Sequence, residues 1–221
     1  MLCPPVALPD NNIVMEHNTP ITRFYFVRHA AVQKVAGCLP PHDPPITDHS
    51  HDLTHLLASL PTGADWHISP LQRTRQTADL LMTQLQPQSI KMEPALVEQS
   101  FGNWHDQPVD EIWKELKDKP RHNWSFMTAS FIPPDGESFV QQCARVADWC
   151  KIQEQQEFIV PQILIAHAGT ICAVLAHMLA IPPDRALAFT VPNLGYLEAH
   201  LMNASHGTQH AGGLWQVKSL P

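Results

Sequence analysis

Residues 22 to 30, Thr-Arg-Phe-Tyr-Phe-Val-Arg-His-Ala, constrain this chain more than any other stretch. Phe24, Phe26 and Val27 supply the apolar bulk that a buried strand needs, and the run stops at Arg28 and His29. Two cationic-type side chains are costly to hold inside without a partner, so this strand end asks for an anionic ligand.

Two later stretches repeat the arrangement. Asp65-Trp66-His67-Ile68 reads as a short strand, and Ser69-Pro70 reads as a helix start, with Ser capping free amides and Pro at the first helical position. Leu71, Thr74, Ala78, Leu81 and Leu85 then form one apolar stripe, with Arg73 in the first turn, where amides and dipole favour phosphate. Arg75 faces elsewhere, because residues two apart do not share a helix face. Ile163-Leu164-Ile165 is a buried strand that ends in His167-Ala168-Gly169-Thr170, and a helix follows (Ile171, Val174, Leu175, Met178, Leu179).

The connections differ in character. Residues 30 to 48 hold Gly37, Pro40, Pro41, Pro44 and Pro45, which forbid regular structure. His42, His49, His51 and His55, with Asp43, Asp48 and Asp52 between them, suit either a metal site or a solvated loop and helix face. No metal-ligand spacing accompanies them, which favours the second. Residues 51 to 60 have helical spacing, ended by Pro61-Thr62-Gly63. Ile90 to Met92 is a strand leading through Leu96 to Glu98. From Phe101 to Phe131 the chain carries Trp104, Trp113, Trp124, Phe126 and Phe131 among prolines, the pattern of an inserted cap of short helices and loops. Its aromatics suit a substrate pocket, with Trp104 as candidate contact, or a satellite core. Pro133 to Ser138 breaks the chain and opens a long helix whose apolar face is Phe139, Val140, Cys143, Val146, Ala147 and Cys150. Residues 194 to 201 and 214 to 218 alternate as late edge strands.

Strands alternating with helices over 221 residues predict an α/β fold: three layers, a mostly parallel central sheet with helices on both faces, and one domain over 21–221 with a cap at about 99–135. Residues 1–20, rich in proline, read as a flexible arm without the marks of a signal peptide, and Met15 rivals Met1 as the natural start. A net charge of -7 argues against a nucleic-acid surface, and no run is long enough for a membrane span. The five cysteines lack Cys-x-x-Cys spacing, which points to reduced thiols and a cytoplasmic protein.

In open α/β sheets the ligand lies beyond the carboxyl ends of the strands. Arg28, His29, Arg73 and His167 would converge there, a set suited to a dianionic phosphoryl group, with one imidazole able to attack phosphorus.

On these residues the chain resembles the histidine phosphatases of the phosphoglycerate mutase-like superfamily. The family's Arg-His-Gly is matched by Arg28-His29-Ala30, its Ser-Pro-Leu-x-Arg-x-x-Gln-Thr-Ala by Ser69 through Ala78, its Leu-x-Glu-x-x-Phe-Gly-x-Trp by Leu96 through Trp104, and its His-Gly-Gly by His167-Ala168-Gly169. The resemblance implies His29 as the nucleophile that becomes phosphohistidine. It makes Arg28, Arg73 and His167 the phosphoryl ligands and Glu98 the proton donor, with Glu137 next in line. It implies a metal-independent histidine acid phosphatase, with no cofactor, acting on a small-molecule phosphomonoester; a homodimer stays open. Ala30 and Ala168 stand where the family has glycine, and Val32 and Val35 where it has Thr and Asn. The loop from Ala31 to Pro45, the Phe-Gly-Asn-Trp stretch and Pro-Asp-Gly-Glu-Ser-Phe are most similar to α-ribazole phosphatase-like proteins of cobalamin synthesis, which makes α-ribazole 5′-phosphate the named substrate. A phosphoglycerate mutase-type phosphotransferase and a non-catalytic binding protein on the same fold are the alternatives.

Overall fold

The computed structural model describes residues 21–48, 51–202 and 212–219. The expectations for the arm, the start residue, Cys3 and His49 lie outside them. Strands β1 (Ile21–Arg28), β2 (Asp65–Ile68), β3 (Ser89–Met92), β4 (Gln162–Ala166), β5 (Tyr196–Met202) and β6 (Trp215–Ser219) form one sheet in the order β3-β2-β4-β1-β5-β6. β1 pairs parallel with β4, and β2 pairs parallel with both β4 and β3, whereas β5 runs antiparallel to β1 and β6 antiparallel to β5.

Alternation along β1 builds both layers of core. Phe24 and Phe26 join Leu164, Leu197 and Trp215 on the face covered by α4 (Phe139–Glu154), α5 (Ala168–Met178) and α6 (Pro183–Ala186). Tyr25 and Val27 join Trp66, Ile163 and Ile165 on the opposite face, under α1 (Thr54–Ser59) and α2 (Gln72–Leu85). The expected three layers are therefore present. Each fully buried side chain of this size contributes roughly 2 kcal/mol, so β1 anchors both cores at once.

Some local expectations change. α2 begins at Gln72 rather than at Ser69-Pro70, and Leu71 takes the cap position without a side-chain cap. Ser69 stays with the sheet, its N–H donating to the Ile165 carbonyl at 3.1 Å. The free amide of Gln72 is satisfied from far away, by Asp43 Oδ1 at 2.8 Å. β5 is an interior strand, not an edge, because β6 covers its outer side. On α4, Val140 is 42% exposed, whereas Trp149 is buried against the edge of His67.

The region from Phe101 to Phe131 is built as expected from a short 3-10 turn (Gly102–Trp104), α3 (Val109–Glu115) and loops. It holds its own small core of Trp104, Ile112, Leu116 and Met127. No helix among the described residues is long and apolar enough to cross a membrane.

Candidate active site

The site is assembled at the end of β4. The His29 N–H donates to the Ala166 carbonyl at 3.0 Å and the Ser69 N–H to that of Ile165, while His167 continues β4 and caps α5. Two residues after β1, the Ala30 N–H donates to Thr77 Oγ1 of α2 at 3.0 Å, and Gln76 Oε1 accepts from the Ile46 N–H at 2.9 Å. Asn193 Nδ2 donates to the His29 carbonyl at 3.0 Å, a support that no sequence pattern announced.

His29 is 6% exposed and lines a cavity of about 230 Å³. Its Nδ1 stands 2.7 Å from the Ala30 carbonyl, which can only accept, so the ring proton sits on Nδ1 and Nε2 carries the lone pair. Burial pushes the imidazole down to about 3, and the positive charges of Arg73 and Arg28 add to that, against the pull of the Ala30 carbonyl. A neutral imidazole with a free Nε2 is a nucleophile in waiting.

Arg28 and Arg73 also line the cavity. Arg28 donates from Nη1 to the Val191 carbonyl at 2.5 Å, and its buried Nε has no hydrogen-bond partner among the described residues. Arg73 donates from Nη1 to the His42 carbonyl at 2.9 Å and from Nε to His167 Nδ1 at 3.1 Å, with Asp43 Oδ1 3.7 Å from Nη1. Arg73 is buried. Burial works against the charge on both guanidiniums and Glu98 works for it. A buried N–H without an acceptor costs stability, and an oxyanion would satisfy it.

His167 is fully buried and does not line the cavity. Its Nδ1 accepts from Arg73, so its Nε2–H donates to Ser69 Oγ, 2.8 Å away. Both ring nitrogens are thus engaged with protein, and His167 braces Arg73 from behind. Burial, with Arg73 as the next cause, holds it well below the ordinary imidazole value, which keeps it neutral.

Glu98 reaches the same cavity from the segment after β3. Oε1 accepts from the Gln99 N–H and from Gln142 Nε2, both at 3.0 Å, and Oε2 accepts from the Gly169 N–H at 3.1 Å. A Cβ at position 169 would run into this carboxylate and push it aside, so glycine there lets Glu98 keep its place. Ala30 and Ala168 are not among the residues with positive φ, and their departure from glycine therefore brings no backbone strain. Glu137 is no substitute for Glu98. It is held by Arg145 through Nε at 3.2 Å and Nη2 at 2.8 Å, while Arg145 Nη1 binds the carbonyls of Ala95 and Val97 and so fixes the approach to Glu98.

The rest of the cavity wall is Val32, Pro40, Pro41, Pro44, Leu71 and Phe101, with His42, Gln99 and His105. His105 donates Nδ1–H to the Pro40 carbonyl at 3.0 Å and accepts the Phe101 N–H on Nε2 at 3.1 Å, which ties the cap to the proline loop. Burial keeps it below the ordinary imidazole value. His42 and Asp43 thus belong to the site rather than to a solvated loop. Among the described residues no three His, Cys, Asp or Glu side chains converge as metal ligands would. Trp104 is not a wall residue: it is 3% exposed, stacks on Phe131 at 5.4 Å and donates Nε1–H to Glu115 at 2.8 Å. The expected substrate contact is a core residue, and Phe101 takes its place at the cavity.

A family model described as the histidine phosphatase superfamily (branch 1) matches residues 24–207, and the chain belongs to that family. No curated protein matches the sequence. Among solved structures, a mycobacterial glucosyl-3-phosphoglycerate phosphatase is similar with a TM-score of 0.70 at 18% identity, covering 91% of this chain and 99% of its own. The α-ribazole phosphatase from Shigella flexneri is similar with a TM-score of 0.68 at 20% identity, covering 90% and 96%. Bacillus stearothermophilus YhfR gives 0.67 at 17% identity, covering 89% and 95%. At such identities the likeness is one of fold.

Proposed function

We propose that this member of the histidine phosphatase superfamily hydrolyses phosphomonoesters through a phosphohistidine at His29. The observation that carries the reading is the neutral His29 with its free Nε2 beside Arg28, whose buried Nε lacks an acceptor. The Nε2 lone pair forms the N–P bond as the ester P–O bond breaks, and the carboxyl of Glu98 gives its proton to the departing oxygen. Arg28 and Arg73 take up the charge spread over the equatorial oxygens. His167 joins them by turning its Nε2–H from Ser69 to a phosphoryl oxygen. Water then attacks phosphorus, its proton goes to the Glu98 carboxylate, and the N–P bond pair returns to Nε2. The two guanidiniums supply the positive charge that this sequence needs, so the mechanism is written without a metal.

The leaving group faces prolines, Val32, Leu71 and Phe101, and the wall carries no arginine or lysine beyond Arg28 and Arg73. That supports an ester group that is uncharged and flat rather than one with a second phosphate or a carboxylate. α-Ribazole 5′-phosphate is the named candidate, taken from segment resemblance and from the Shigella flexneri enzyme that shares the fold. The free thiols of Cys38, Cys143, Cys150 and Cys172 support work in a reducing cytoplasm.

Quenching the reaction in alkali, where phosphohistidine survives, and mapping the peptides tests the reading. A single phosphoryl group on His29 is expected. Turnover with no phosphohistidine, or with the label on another residue, would overturn it.

A further inference from the structure

Gln142 lies on α4, is fully buried and meets Glu98 from behind. Its Nε2 donates to Glu98 Oε1 at 3.0 Å and also reaches Thr170 Oγ1 at 3.2 Å and the Val97 carbonyl at 3.4 Å. Its Oε1 is buried with no hydrogen-bond partner among the described residues. A buried amide oxygen left unpaired costs stability, so folding alone would favour an apolar side chain of similar size at this place. The other two donors to Glu98 are the main-chain N–H groups of Gln99 and Gly169, which do not depend on the side chain at position 142. Among the described residues Gln142 is the side chain that adds a third.

We propose that Gln142 is a positioning residue for proton transfer, fixing the plane of the Glu98 carboxyl toward the cavity. The inference rests on the phosphatase reading above. An N–H donor stabilises a carboxylate more than a neutral carboxyl, so Gln142 eases the release of the Glu98 proton to the leaving oxygen. The other charged and titratable groups that face Glu98 are Arg28 from β1, Arg73 from α2 and Cys172 from α5, with His29, His42 and His105 on the same cavity wall and the Arg145–Glu137 pair behind the segment leading to it. All of these stay in place when position 142 changes.

The test is the pH dependence of kcat for an alkyl phosphate and for nitrophenyl phosphate in Gln142→Met and Gln142→Glu. Nitrophenolate leaves without protonation, so the proton step shows in the alkyl ester. In Gln142→Met the alkaline limb for the alkyl ester moves up by about one pH unit, the size of one charge-assisted hydrogen bond. Its plateau falls by about tenfold more than that for nitrophenyl phosphate, a difference that isolates the proton step. In Gln142→Glu the limb moves further up, because two adjacent carboxyls resist double ionisation. The Met variant loses the Nε2 donor together with the orphaned oxygen, two effects of opposite sign, so its unfolding temperature should stay close to the parent's. Folded variants with parental limbs and parental ratios overturn the proposal. So does a failure of both variants to fold, which would make Gln142 a structural residue. A parent chain that turns over no phosphomonoester fails the phosphatase reading instead, and is told apart by that.

Discussion

Arg73 Nε donates to His167 Nδ1 across 3.1 Å, and the same imidazole donates its Nε2–H to Ser69 Oγ at 2.8 Å. The serine that opens the family's second motif is thus the third member of a buried chain that orients an arginine of the cavity wall.

Ser69→Ala leaves the Nε2–H of a fully buried imidazole without an acceptor, at a cost of about 1–2 kcal/mol in denaturant unfolding. It also removes the competitor for that proton, so inorganic phosphate should inhibit more tightly than in the parent. An unchanged inhibition constant would mean that His167 never turns toward the phosphoryl group.

His29 should remain a competent nucleophile far into acid, because its value lies at about 3 instead of 6.5. Its own contribution to the acidic limb of kcat/KM therefore appears only near pH 3. Stability follows the opposite interest: between about 6.5 and about 3 the unfolded chain binds a proton that the folded site excludes. Stability from this group is thus full above 6.5 and is lost as pH falls through that window. His29→Ala should abolish the phosphoenzyme and flatten the dependence of Tm on pH, whereas a chelator should leave the parent rate unchanged. Activity that a chelator removes and a divalent ion restores would sink the metal-free mechanism.

Glu98→Gln should slow alkyl phosphates far more than nitrophenyl phosphate, since only the former need a proton on the leaving oxygen. Arg73→Ala should slow both, because it removes charge that any phosphoryl transfer uses. Equal losses for the two esters in Glu98→Gln would take the acid role away from Glu98.

Trp104→Phe keeps the stack on Phe131 but loses the bond to Glu115. The expected result is about 1 kcal/mol less stability with KM for heterocyclic phosphates as in the parent. Phe101→Ala should raise that KM by about tenfold, the value of one modest stacking contact. A raised KM in Trp104→Phe would restore the tryptophan to the substrate.

The strand ends were legible because each shows a period-two or wholly apolar run that stops at a residue too polar to continue it. Arg28, His29 and the line from Ile163 to His167 are of this kind. Glu98 had no such mark, and came only with the motif that resemblance supplied. Ser69-Pro70 was misread because the local cap rule weighs neighbours in sequence, whereas Ser69 is claimed by the sheet and by His167. The cap of α2 came from Asp43, twenty-nine residues away, through a proline loop that sequence patterns leave blank. Trp104 was misplaced because size and aromaticity suit a pocket and a small core equally. Only the packing of Phe126, Phe131 and Ile112 around it decides.

The anchoring of His29 and Ser69 to the last two carbonyls of β4 links their local opening. The amide hydrogens of both residues are held by consecutive acceptors, Ala166 and Ile165, on a strand that lies between β1 and β2. Fraying at that end of β4 would release His29 and the serine behind His167 and Arg73 in one event. The two amides should therefore exchange with solvent as a single cooperative unit, slow in proportion to the stability of the central sheet rather than of the loops around the cavity.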